Sequence, residues 1–151
     1  MLLNNFLFSN KLLINFSECK GCNKIYTTRW CLPCNSKHFE NNFEKWTSKN
    51  VEIDKILQKV QLNADSPNKV IEWISYSRLQ VKHYINEGGF GTIYLANWLD
   101  GAIYGWNNDY QKWNRDTYQQ VALKILKNSN NLSFNLLKEE VSFTLFALLI
   151  I

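Results

Sequence analysis

A chain of 151 residues that is 46% hydrophobic and 15% aromatic can bury a modest core, which excludes a globally disordered polypeptide. Its net charge of +4 comes from 17 Lys and Arg against 13 Asp and Glu, scattered without the basic run of a nucleic-acid arm. No apolar stretch reaches the length of a membrane span, and the 20 asparagines, many in pairs, are turn and cap formers rather than chemistry.

Residues 1–16 hold two apolar clusters interrupted by Asn4, Asn5, Asn10 and Lys11, with no basic residue ahead of the first cluster. That pattern reads as an N-terminal lead-in, since a secretory signal puts its charge before an unbroken apolar core. Residues 17–40 carry all four cysteines, as Cys19-Lys20-Gly21-Cys22 and Cys31-Leu32-Pro33-Cys34. Two Cys-x-x-Cys pairs separated by eight residues match tetrahedral zinc ligation, each pair clasping the metal from a tight turn. Two disulfides or buried thiols are the alternative. They call for an oxidising compartment or a larger core, so the reading is a closed four-cysteine zinc site in a cytoplasmic protein. His38 reads as a packing or surface residue beside a complete ligand set.

Residues 41–69 read as a helix and a linker. The helical pattern runs over 39–62, with Asn50 as a cap, Glu52 and Asp54 in the first turn, and Ile53, Ile56, Leu57 and Val60 at helical spacing. Asp65-Ser66-Pro67-Asn68 then breaks the chain. Beyond it, Leu79, Val81, His83 and Ile85 alternate with Gln80 and Lys82, which predicts a half-exposed strand with those four side chains on one face.

That strand leads into Ile85-Asn86-Glu87-Gly88-Gly89-Phe90-Gly91-Thr92-Ile93-Tyr94. Three glycines in four positions leave backbone N–H groups free to face a phosphate, and the β-branched and aromatic residues after Gly91 predict a second strand rather than a helix. Residues 99–118 mix turn formers (Asp100-Gly101, Gly105, Asn107-Asn108) with Ile103, Tyr104, Trp106, Tyr110 and Trp113. They predict an added β-hairpin whose aromatics either cover the sheet edge or bind a partner. Val121-Ala122-Leu123-Lys124-Ile125-Leu126 is then an apolar run with one cation at its centre, which asks for an acidic partner.

The glycine loop and the later Val-Ala-Leu-Lys strand together resemble the N-terminal lobe of a protein kinase, whose G-x-G-x-x-G-x-V and V-A-I-K motifs occur in this order. Asn86 stands where the first glycine of that pattern would be. With the Cys-x-x-Cys leader, Glu72-Trp73-Ile74 and Asn97-Trp98-Leu99-Asp100-Gly101, the chain is similar to a kinase-like family expanded in some fungi. The resemblance implies an α+β fold over residues 70–151: an antiparallel N-lobe sheet and one αC-like helix from Leu132 to about Leu149. It implies that Gly88, Gly89, Phe90 and Gly91 cover the phosphates of ATP, with Asn86 and Glu87 in the same nucleotide-binding loop, that Ile85, Ile93 and Ala122 enclose the adenine, and that Lys124 pairs with Glu140, or its neighbour Glu139, to orient the triphosphate with Mg. A complete kinase would pass the γ-phosphoryl group to a hydroxyl of a protein substrate. Neither the H-R-D-x-x-x-x-N nor the D-F-G motif occurs here, so the chain reads as an N-lobe stopping before the C-lobe and inactive alone. The rival reading is a zinc-stabilised interaction scaffold that does not bind ATP.

Overall fold

The computed structural model of the chain describes residues 17–26, 30–89 and 91–126. The expected lead-in, the helix over 132–149 with Glu139 and Glu140, and Phe90 lie outside them. Two short strands, β1 (Ser17–Glu18) and β2 (Ile25–Tyr26), pair antiparallel, and two helices follow, α1 (Leu32–Glu40) and α2 (Val51–Asn63). Three longer strands, β3 (Leu79–Gly88), β4 (Gly91–Trp98) and β7 (Gln119–Leu126), form an antiparallel sheet in the order β3-β4-β7. Between β4 and β7 stands a separate hairpin of β5 (Ile103–Asn107) and β6 (Lys112–Arg115). The architecture is mixed α and β with antiparallel sheets, and no helix among the described residues is long and apolar enough to cross a membrane.

The single helix expected over 39–62 is two helices with an irregular stretch between. Pro33 in the first turn of α1 needs no N–H partner there, which is the signal for a start at Leu32 that the apolar periodicity hides. The helix stops at Asn41, and the Asn42 amide donates back to the His38 carbonyl at 2.6 Å. Local side-chain hydrogen bonds of this kind compete with helix continuation. The second helix starts as expected: the Asn50 side chain accepts from the N–H groups of Glu52 and Ile53 at 3.0 and 3.3 Å.

The alternation expected in β3 is broken twice. Leu79, which is buried, pairs with Trp98, and Val81, which is exposed, with Ala96, but the register shifts between Val81 and His83 and again between Tyr84 and Asn86. An extra residue at each shift turns the following side chains over, so His83 opposes Leu95, and Tyr84 meets Tyr94 edge-to-face. Ile85, at the second shift, is half exposed.

Two apolar cores result. The first gathers Ile74, Leu79, Ala96, Trp98, Val121 and Leu123 on one face of the three-stranded sheet. The second joins Trp30, Phe39, Ala64 and Ile103, with Phe43, Val70 and Trp113 against them. It draws on the cysteine segment, the helix-and-linker segment and the hairpin alike. Two of the hairpin aromatics, Trp106 and Trp113, therefore cover α1 rather than the edge of the main sheet, Phe39 stacking on Trp113 at 4.3 Å and His38 lying flat on Trp106 at 3.7 Å, while Tyr104 and Tyr110 are exposed. The role of His38 is packing.

Candidate functional sites

The cysteine site is built from a turn and a helix start. Between β1 and β2 the Cys19 N–H donates to the Lys24 carbonyl (2.8 Å), while the Cys19 carbonyl accepts from Asn23 (2.7 Å) and Cys22 (3.3 Å). Asn23 takes the left-handed angle this knuckle requires, φ 56°, which Asn tolerates better than most residues. The second pair comes from α1: Cys31 directly precedes it and Cys34 sits in its first turn, where free backbone N–H groups favour thiolates.

The four Sγ atoms lie within 4.8 Å of one another, and none is in a disulfide. Cys19 Sγ to Cys34 Sγ is 3.7 Å, and so is Cys22 Sγ to Cys31 Sγ. Four sulfurs bound at about 2.3 Å around one zinc ion stand about 3.8 Å apart in a regular tetrahedron, so the donor set fits a metal ion with little movement. The backbone N–H of Lys24 brings the Cys22 thiol down to about 7, while burial pushes the thiols of Cys31 and Cys34 up. The Cys31 thiol donates to the Tyr26 hydroxyl at 2.9 Å, and this contact pushes the Tyr26 pKa up. Nothing in the cysteine spacing singles out Tyr26. A polar cleft of about 330 Å³ opens beside the cluster, between the knuckle, His38 and the hairpin tip at Trp106 and Asn107.

The second site lies on the main sheet. Tyr94, Ala96 and Trp98 on β4 and Val121, Leu123 and Ile125 on β7 belong to the core face. Strand alternation puts Ile93 and Leu95, Ala122 and Lys124 on the opposite face. The register makes Ile93 the partner of Lys124 and Leu95 the partner of Ala122. All four are half-buried. The glycine turn closes this end of the sheet: Gly88 pairs with Gly91, Gly91 with Leu126, and Lys124 stands two residues further in.

The three glycines differ in what the fold asks of them. A Cβ on Gly91 would sit 2.3 Å from the Ile125 carbonyl oxygen, so the close approach of β4 to β7 requires glycine there. Gly88 and Gly89 have no positive φ, and a Cβ on either would meet nothing within 4 Å among the described residues. Asn86 makes a local turn contact, its Oδ1 accepting from the Glu87 N–H at 2.8 Å. Of the residues expected to form this site, the structure therefore brings together Asn86, Glu87, Gly88, Gly89, Gly91, Ile93, Ala122 and Lys124 on one hairpin and its neighbouring strand, with Ile85 at the bulge.

Two contacts that tie the sites to the scaffold are invisible in the sequence. Glu72 and Arg115 form a fork, Nη2 to Oε2 at 2.5 Å and Nη1 to Oε1 at 3.3 Å, and Arg115 also donates to the Gly101 carbonyl at 2.7 Å. Burial pushes the Glu72 carboxyl up, against the pull of Arg115. Arg78 makes the other fork, to Asp100. Comparison with protein-family models, with curated proteins and with solved structures finds no match to this chain.

Proposed function

We propose that residues 70–126 belong to the ATP-binding N-terminal lobe of a protein kinase-like protein. The observation that carries the reading is the cross-strand pair Ile93 and Lys124, on the face away from the core and two residues from a glycine turn. Gly88 and Gly89 add to it, because no neighbour among the described residues and no positive φ accounts for glycine at either position, whereas a phosphate approaching the backbone would. In this reading Ile85, Ile93 and Ala122 contact adenine, Gly88, Gly89, Phe90 and Gly91 lie over the phosphates, and Lys124 contacts the α and β phosphates. Glu140, with Glu139 as its neighbour, is the proposed carboxylate partner of Lys124, and Mg accompanies the nucleotide. The sequence holds neither catalytic-loop nor Mg-ligand motif, so these 151 residues alone are expected to bind MgATP without transferring phosphate to a protein hydroxyl.

Zinc is the metal proposed for Cys19, Cys22, Cys31 and Cys34. Four thiolates leave no open coordination position, so its role is structural: it supplies the folding energy that a segment this small lacks. The unpaired thiols support a reducing, cytoplasmic setting.

The nucleotide reading is tested by melting the zinc-loaded chain with and without MgATP. At a nucleotide concentration of 100 times Kd the expected stabilisation is about 2.7 kcal/mol, and Lys124→Ala is expected to abolish it while leaving the ligand-free melting temperature within a few degrees. A folded chain with no MgATP response favours the interaction scaffold instead.

A further inference from the structure

We propose that metal occupancy of the four-cysteine site controls the docking of the inserted β5–β6 hairpin, so that metal loss releases the hairpin and uncovers Trp106 and Trp113. The proposal rests on the metal reading of the cysteine site and is independent of the nucleotide reading.

The argument begins with α1. It has nine residues, too few for a stable helix in water without outside support. Its N-terminal end carries Cys31 and Cys34, and its last turn carries His38 and Phe39. Ligation at one end therefore orients the side chains at the other. A metal ion would clamp this helix start to the β1–β2 knuckle, which has only two short strands of its own.

The hairpin is equally dependent. A two-stranded ribbon is marginal in isolation, and β5 and β6 pair only with each other among the described residues. What Trp106 and Trp113 rest on is the α1 segment. Trp106 lies flat on His38 at 3.7 Å and 10°, and Trp113 stacks on Phe39 at 4.3 Å and on Trp30 at 6.1 Å. Trp30 is 3% exposed and directly precedes the ligand Cys31, and its indole N–H donates to the Ala64 carbonyl at 2.7 Å. The surface that receives the hairpin is thus made of residues beside the metal ligands. The Glu72 carboxylate, which accepts from the Arg115 guanidinium and from the Ile103 N–H, holds the base of the hairpin to the rest of the chain, so release begins at the tip.

The experiment is hydrogen exchange on the full zinc-loaded chain before and after a zinc-selective chelator under reducing conditions, with metal content measured in parallel. One zinc per chain is expected. Chelation is expected to lower protection of the amides of Ile103–Asn107 and Lys112–Arg115 at least about tenfold, while Thr92 to Ala96 stay within about threefold. Cys22→Ser, which removes a ligand on the knuckle and lies outside both α1 and the hairpin, is expected to reproduce the chelated pattern. His38→Ala combined with Trp106→Ala is expected to keep one zinc and still expose the hairpin. A chain that binds no zinc removes the metal reading and this proposal with it. Bound zinc with hairpin protection unchanged on chelation overturns the proposal alone. Uniform loss over hairpin and main sheet also overturns it, since the metal would then hold the whole fold.

Discussion

Gly88, Gly89 and Gly91 look equivalent as letters, and the packing around them separates them. Gly91→Ala drives a methyl group into the Ile125 carbonyl, and overpacking of that kind is expected to cost about 1–3 kcal/mol in a urea titration. Replacing Gly88 and Gly89 together by Ala is expected to leave stability within about 0.5 kcal/mol, because neither position is left-handed or crowded by the described residues. The same double variant is expected to reduce the MgATP-induced melting shift. Stability loss in both variants would mean that the turn serves only the fold. Lys124 is legible as an unusual residue because a cation interrupts an apolar run, yet its face and its partner Ile93 follow from register alone.

Asp54 titrates below its ordinary range. Burial works to raise its carboxyl, and hydrogen bonds from the Ser48 hydroxyl (2.5 Å), the Thr47 hydroxyl (2.6 Å) and the Ser48 N–H (2.8 Å) outweigh it, leaving the pKa below the ordinary Asp value. The folded chain therefore binds this proton less readily than the unfolded one. Its contribution is fully present above the unfolded value of about 3.9 and is lost as pH falls through the folded value. Asp54→Asn is expected to destabilise at pH 7 and to lose that effect progressively as pH falls below about 3.9, read from urea midpoints over that range.

Among the elements, α2 and the inserted hairpin follow local rules. Asn50→Ala removes the acceptor of two N–H groups at the start of α2 and is expected to cost about 1 kcal/mol by thermal melting. In the hairpin, the Asn107 side chain accepts from the N–H groups of Asp109 and Tyr110, both at 3.0 Å, and Gln111 takes φ 50°. That angle is strained for a residue with a Cβ, so Gln111→Gly is expected to raise stability by up to about 1 kcal/mol. The presence of a hairpin over 99–118 and the cap of α2 are readable because turn and cap chemistry is local. The start of α1 is hidden because the apolar residues on either side of Asn41 keep a helical rhythm across a stretch that side-chain hydrogen bonds pull out of the helix. The face of β3 is hidden because bulges leave no mark in an alternating pattern.

At the scale of the whole molecule, two cores meet through polar links. Glu72 approaches Arg115 across 43 residues, and the carboxylate also accepts from the Ile103 N–H at 3.3 Å. Glu72→Ala would leave a half-buried guanidinium with one carbonyl partner and is expected to cost about 1–3 kcal/mol. Leu123, 1% exposed, is the reference for the sheet core, where truncation to Ala is expected to cost about 2–5 kcal/mol.

What the amino-acid sequence determined by itself was local chemistry: the four thiols in two clasps, the glycine turn between two strands, the lysine inside an apolar run, the cap of α2 and a hairpin in the insertion. Each depends on a few neighbouring residues, so spacing and side-chain type suffice to read it. Only the tertiary structure decided that the four sulfurs come within 4.8 Å, that Ile93 and Lys124 share the face away from the core, and that the hairpin packs on α1 instead of the main sheet. Those outcomes depend on register and on contacts between distant segments. Many alternative pairings bury similar apolar area, and the choice among them is made by packing that no short window of residues contains.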